Sequence, residues 1–195
     1  MNKILILGPP RQSLISFFNS RNFEVFCFQG KVSVELAKRF DCILSYGYRY
    51  ILPDDVLNNI NNKIINLHIS FLPWNRGADP NLWSFLDDTP KGVSIHYIDN
   101  GIDTGDILIQ KELFFDVENE TLSSSYDTLC NEIEYLLFHS WHDIRNKNMP
   151  VMKQARESGS FHKLKDKERF MYLLTEGWNT PVSNLVGVTK KIPVE

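Results

Sequence analysis

The chain has 195 residues, with 21 Lys plus Arg against 24 Asp plus Glu and a formal net charge of -3. Hydrophobic residues make up 43% and aromatic residues 12%, enough for a buried core, which excludes the disordered class; the length suits one domain of the usual roughly 100–200 residues with a small appendage at most. Basic residues form no dense cluster before the tail "KLKDKER", where acids interrupt them, so the electrostatic footprint of a dedicated nucleic-acid binder is missing.

The N-terminal "MNKILILGPP" holds one Lys and a very short apolar run, too short for a signal-peptide core or a membrane span, so a cytoplasmic chain with no membrane partner is expected. "KILIL" (3–7), "EVFCF" (24–28), "DCILS" (41–45) and "KIINLH" (63–68) read as strands buried on both faces. Between the early ones, "SLISFFNSR" (13–21) and "SVELAKRF" (33–40) carry apolar residues at helical spacing. This alternation predicts an α/β fold: a Rossmann-like open, mostly parallel sheet with helices on both faces.

Further on, "PNLWSFLDD" (80–88) opens with Pro80, which suits a first helical turn, and "GVSIHYI" (92–98) and "GDILIQKELFF" (105–115) resemble strands. Leu122, Tyr126, Leu129, Ile133, Leu136 and Leu137 recur at spacings of three and four, marking a long amphipathic helix that ends near "RNKNMP". One domain is therefore expected over 1–150. Residues 151–195 are polar and turn-rich, and are read as a short C-terminal extension packing on that core or on a partner subunit. Cys27, Cys42 and Cys130 are widely spaced with no C-x-x-C pair, which reads as reduced thiols filling core space.

Two polar groups interrupt an apolar strand in "INLHISFLPWNRGADP" (65–80). Residues two apart on a strand share a face, so Asn66 and His68 point the same way, and in open parallel sheets ligands bind beyond the carboxyl ends of strands. The pair reads either as a site or as a hydrogen-bonded core histidine with an amide tying down the next loop. The loop "DNGIDTGD" (99–106) follows a strand containing His96; its Gly101 and Gly105 permit tight or positive-φ turns among Asp99, Asp103 and Asp106. Its acid spacing does not match a calcium loop, and His139 and His142 lack a third ligand, so no metal is expected. "GPPRQS" after the first strand lacks the G-x-G-x-x-G fingerprint of dinucleotide binding.

"INLHISFLPWNRGADPNLWSF" followed by "GVSIHYIDNGIDTGDILIQ" resembles the catalytic core of the folate-dependent formyltransferases, a family that includes glycinamide ribonucleotide, methionyl-tRNA and nucleotide-sugar formyltransferases. The likeness covers most of residues 1 to 150. It implies 10-formyltetrahydrofolate as formyl donor, with no metal, and a catalytic set of Asn66, His68 and Asp103. It also implies that "GYRYILPDDVL" (47–57) matches a strand and turn that grip the pterin, largely through backbone groups of Tyr50, Ile51 and Leu52, and that the loop holding Asp99, Asn100 and Gly101 closes over the same ring.

The chemistry suits those residue types. An attacking amine must lose a proton, which an imidazole of unperturbed pKa near ~6.5 can take, with a carboxylate stabilising its charged form. A neutral amide donor can meet the developing oxyanion without burying a full charge. A water held by Asp103 is an alternative proton relay.

For the acceptor, the chain is too short and too acidic to supply the additional nucleic-acid-binding domain of methionyl-tRNA enzymes. Its segments "GPPRQS", "GSFHKLKD" and "TEGWNTPVS" look most like formyltransferases of nucleotide-linked amino sugars, made for surface glycans. Trp74, Asn75, Arg76 and Asp79 then offer contacts near the amine and read equally as a rigid Pro-bounded loop with a packed Trp; Arg11 could meet a substrate phosphate but reads first as an exposed surface arginine. A homodimer is a family-level expectation. The alternatives are another small amine such as glycinamide ribonucleotide, or a non-catalytic ligand-binding module on the same scaffold.

Overall fold

The structure is a computed structural model that describes residues 2–60, 64–155 and 158–191. In chain order its elements are β1 (Asn2–Leu7), α1 (Gln12–Asn19), β2 (Phe23–Phe28), α2 (Val34–Ala37), β3 (Cys42–Ser45), α3 (Asp54–Asn59), β4 (Ile65–His68), β5 (Arg76–Gly77), α4 (Pro80–Leu86), β6 (Lys91–Tyr97), β7 (Ile107–Leu113), α5 (Leu122–Arg145), β8 (Phe161–His162) and α6 (Val188–Lys191). Short 3-10 turns, the longest over Leu164–Leu173, fill the stretch between β8 and α6. Lys63, placed by the sequence in the fourth strand, lies outside the described residues.

Six strands form one mostly parallel sheet in the order β2-β1-β3-β4-β6-β7, and β5 pairs with β8 in a separate two-stranded ribbon. β1 runs parallel to β2 in a register that matches Ile4 with Val25, and parallel to β3 in one that matches Ile4 with Cys42. The sheet carries a change of strand order at β1, where successive crossovers go to opposite sides, and this is the arrangement the strand and helix alternation requires.

Two compact units are built from interleaved segments: the first from Met1–His68, Ile95–Ile109 and Glu134–Lys153, the second from Ile69–Ser94, Gln110–Ile133 and Gln154–Glu195. In the first, Leu5 and Leu7 point to one face of β1 and join Val32, Ala37, Ile43, Leu52, Val56 and Ile64 in a core cluster. Ile4 and Ile6 alternate to the other face and are fully buried, and Phe18 of α1 packs edge-on against Trp141 of α5 with ring centroids 4.8 Å apart. In the second unit, Leu82, Trp83, Phe85 and Leu86 of α4 pack with Leu122, Phe170, Val182 and Leu185.

Two expectations are corrected. β2 is not buried on both faces: it is the edge strand, and with no neighbour on one side only Phe23 is buried while Phe26 is exposed. The stretch 47–57 contains no strand; residues 47–53 are irregular and α3 follows, because Pro53 sets a φ of -66° at the helix N-cap and Asp54 and Asp55 favour the first turn.

Candidate active site

The carboxyl end of β4 delivers Asn66 and His68, and the alternation of the strand turns both toward the loop after β6. That loop is self-braced. Asp99 Oδ1 accepts hydrogen bonds from the backbone N–H of Gly101 (3.0 Å) and the hydroxyl of Thr104 (2.6 Å), closing a turn that leads into Asp103. The positive φ falls on Asp103 itself, at 52°, and on neither glycine. Aspartate tolerates that region better than most residues, and Gly105 serves a different need: a Cβ there would collide with the Tyr97 carbonyl oxygen.

Asp103 is thereby presented to three side chains. Its Oδ1 accepts a hydrogen bond from Asn66 Nδ2 at 3.1 Å and lies 3.6 Å from His96 Nε2, while its Oδ2 lies 3.8 Å from His68 Nδ1. The imidazoles of His68 and His96 stand perpendicular with centroids 6.1 Å apart, and both are buried, as is most of the Asp103 side chain.

Hydrogen-bond bookkeeping assigns the protons. His96 Nδ1 faces the carbonyl oxygen of Tyr97 at 2.8 Å, an acceptor only, so Nδ1 carries the hydrogen and Nε2 of the neutral ring is an acceptor. Asn66 Nδ2 is 3.1 Å from that Nε2 and donates to it. The amide therefore gives one N–H to His96 and the other to Asp103, and the reverse amide orientation would set its oxygen against a carboxylate. His96, which the sequence offered only as pocket support, thus fixes how Asn66 is turned; the signal for it was a polar residue recurring two positions from Ser94 inside an apolar strand.

Around the same unit, Tyr50 is 43% and Ile51 78% exposed, whereas Leu52 is buried in the core cluster, so only its backbone is available to a ligand. Tyr50 and Ile51 line a hollow of about 450 Å³ together with Lys31, Val32, Arg49 and Pro53. Lys31 and Arg49 went unnoticed in the sequence because no periodicity links two loop residues so far apart. Tyr48 ties the two loops together, its hydroxyl donating to the Gly30 carbonyl (2.8 Å) and accepting from the Val32 N–H (3.1 Å). Asn100 and Gly101 are exposed, and Arg11 is half-buried with its guanidinium 4.6 Å from the centre of the Tyr46 ring.

The other residues singled out from the sequence lie in the second unit. Trp74 is half-buried. Asn75, fully buried at a φ of 54°, donates from Nδ2 to Thr89 Oγ1 (2.9 Å) and accepts from Ser160 Oγ (3.1 Å). Arg76 reaches the Ser158 carbonyl at 3.3 Å, and Asp79 forms an ion pair with Lys167 at 2.8 Å. Asn75, Arg76 and Asp79 are thus joined to residues 158–167 of their own chain.

Among the described residues, no group of three or more His, Cys, Asp or Glu side chains is placed to hold a metal ion, and no helix is long and apolar enough to cross a membrane.

The family model described as formyl transferase matches residues 29–137. The chain resembles the crystal structure of the formyltransferase PseJ from Anoxybacillus kamchatkensis, in complex with UDP-4,6-dideoxy-4-formamido-L-AltNAc and tetrahydrofolate, at 50% identity and a TM-score of 0.91, covering 96% of this chain and 99% of that one. It is 33% identical over 128 residues to the methionyl-tRNA formyltransferase of Clostridioides difficile, covering 65% of this chain and 41% of that protein. It is 29% identical over 139 residues to the dTDP-4-amino-4,6-dideoxyglucose formyltransferase of Mycobacterium bovis, covering 71% of this chain and 58% of that protein. The chain thus spans well under two thirds of the length of either curated relative. With more than half of its residues matched by the family model, the chain belongs to the formyl transferase family.

Proposed function

We propose that this protein is an N-formyltransferase that moves a formyl group from 10-formyltetrahydrofolate to the amine of a nucleotide-linked amino sugar. The observation that carries the reaction is the convergence of Asn66, His68 and Asp103, from two segments 35 residues apart, with the Asp103 carboxylate facing both other side chains. The amino-sugar acceptor is supported by the 50% identity, end to end, with a formyltransferase crystallised with a UDP-linked formamido sugar.

The donor fits the residues present. A hollow of about 450 Å³ with an exposed tyrosine and isoleucine offers apolar area to a flat heterocycle, and Lys31 and Arg49 on its rim suit a ligand that also carries carboxylates. When bound, 10-formyltetrahydrofolate supplies an activated formyl group. His68 would take a proton from the acceptor ammonium before attack, or from the amine as it bonds to the formyl carbon, and would return a proton to the donor's leaving amine as its bond to that carbon breaks, with the carboxylate of Asp103 stabilising the imidazolium in between. Asn66 has both N–H bonds engaged, so to meet negative charge on the formyl oxygen it must redirect one of them, and its carbonyl oxygen is already available to an amine N–H. The role we assign downstream is the making of a surface glycan such as lipopolysaccharide O-antigen, by a cytoplasmic homodimer.

The test is to mix purified protein with 10-formyltetrahydrofolate and a panel of nucleotide-linked amino sugars, with glycinamide ribonucleotide as a contrasting amine, following tetrahydrofolate absorbance and the mass of the acceptor. Formylation of an amino sugar is expected. Turnover confined to glycinamide ribonucleotide would move the acceptor class, and folate binding without turnover of any amine would replace the enzyme with a binding module.

A further inference from the structure

At the edge of the sheet opposite to His68 lies a second hollow, of about 340 Å³, that the proposed reaction does not use. It is lined by Arg21, Phe23, His139, Trp141, His142 and Arg145, with Phe138 and Asn146 beside them. Phe23 begins β2 whereas His68 ends β4, and these strands run the same way through β1 and β3, so the two places sit at opposite ends of the parallel strands.

The lining is one-sided in charge: two guanidiniums, two imidazoles and an amide, with no carboxylate. Among the described residues neither Arg21 nor Arg145 forms an ion pair. Each guanidinium is held in place instead. Arg21 lies 3.7 Å from the centre of the Phe17 ring and donates to the Phe17 carbonyl at 3.1 Å, and Arg145 lies 4.8 Å from the centre of the Phe23 ring.

A second, independent feature is Trp141. It is 5% exposed and lines the hollow, yet its indole N–H has no hydrogen-bond partner among the described residues. A buried donor left unmade costs about 1–3 kcal/mol; its nitrogen is covered in this structure, so an acceptor in the hollow relieves that cost once the ring shifts toward it. A purely local reading is that the arginines complement the carbonyl ends of α1 and α5. Those ends amount to roughly −0.5 charge each, against two full positive charges, so the hollow remains positive after that service is rendered. It also leaves the Trp141 N–H unexplained.

We propose that this hollow is a second small-molecule site that takes the phosphate group of a phosphorylated ligand, with Arg21 and Arg145 on its oxygens and the Trp141 N–H, uncovered by a shift of its ring, as a further donor. Guanidinium forks match phosphate oxygens two at a time, and an indole donor adds direction that a diffuse positive patch lacks.

The experiment is a titration of the isotope-labelled full chain with inorganic phosphate, pyrophosphate and a nucleoside diphosphate, following the indole N–H resonance of Trp141, identified by its disappearance in Trp141→Phe. A saturable shift is expected, with its apparent Kd raised about tenfold in Arg145→Gln and in Arg21→Gln, while formyl transfer stays within twofold of wild type. Tightest saturation by the nucleoside diphosphate would make the ligand a nucleotide, and equal saturation by pyrophosphate would make it the phosphate group alone. A shift that never saturates, that chloride reproduces at equal ionic strength, or that both arginine variants retain unchanged overturns the proposal. Reading the indole separates this site from anything bound near His68, and Arg21→Gln, at an exposed position, keeps the test valid if Arg145→Gln misfolds.

Discussion

His68 and Asp103 lie 3.8 Å apart, at a distance where a full charge pair interacts by about 4 kcal/mol in a partly shielded setting. The carboxylate therefore favours the protonated imidazole, and the two side chains act as a unit. His68→Ala removes the proton acceptor from a position packed at the end of a strand; turnover should fall by about a hundred- to ten-thousand-fold, with the thermal unfolding midpoint nearly unchanged. Steady-state rates beside a melting curve check this, and near-normal turnover would remove His68 from the mechanism. Asp103→Asn keeps the shape, and asparagine also accepts the φ of 52°, so the backbone need not move. Without the carboxylate the imidazolium formed on proton transfer loses its counter-charge, so kcat/KM should drop while the melting curve stays where it is. A rate equal to wild type would show that the carboxylate does not support the base.

At the scale of elements, α4 shows how a helix is fixed by the segment that covers it. Its Trp83 ring stacks on His162 of β8, with centroids 3.8 Å apart and planes within 4°, and His162 Nε2 lies 2.9 Å from the Asp87 carboxylate just past the helix. Burial alone would raise the Asp87 carboxyl, but the His162 imidazole 2.9 Å away and a hydrogen bond from the Thr189 hydroxyl outweigh it and hold the group below the usual carboxylate range. The folded chain then releases this proton more readily than the unfolded one. The stabilisation is complete above the ordinary carboxylate value of about 3.9 and is lost as pH falls through the lower folded value. Asp87→Asn should therefore cost about 1–3 kcal/mol at neutral pH and progressively less as pH falls below the ordinary carboxylate value, measured by urea unfolding at neutral and acid pH. A cost independent of pH would deny the carboxylate its role. Elements of this kind also mark what the sequence made legible. β1, β3, β4 and α5 were readable because each is an apolar run or a helical repeat, and Asn66 and His68 because a strand puts alternate residues on one face. The ribbon of β5 with β8 was not, since two-residue strands have no period, and Ser160, Lys167 and His162, which meet Asn75, Asp79 and Asp87, lie some eighty residues further along the chain. The hollow flanked by Lys31 and Arg49 was hidden for the same reason.

Over the whole molecule, chain order and compactness do not coincide: each unit draws on three separate segments, and residues 154–195 belong with 69–94 and 110–133. The last segment is polar in composition, yet it supplies Phe170, Val182 and Leu185, each at most 2% exposed, to the cluster around α4. Burying such side chains is worth roughly 1.5–3 kcal/mol apiece, so the three together contribute about as much as the roughly 5–15 kcal/mol by which a whole domain is stable. The same segment provides His162 to Asp87, Lys167 to Asp79, and the Ser160 hydroxyl and carbonyl that bind Asn75 and Arg76. A chain ended after residue 153 would leave Leu82, Trp83, Phe85 and Leu86 without their cover, and such a face does not stay in water as a stable surface. The truncated protein should bind a hydrophobic dye strongly, lose the cooperative unfolding transition of the second unit, and show no formyl transfer. Cooperative unfolding at the full-length midpoint would mean instead that residues 154–195 are an appendage on a core that already holds itself together.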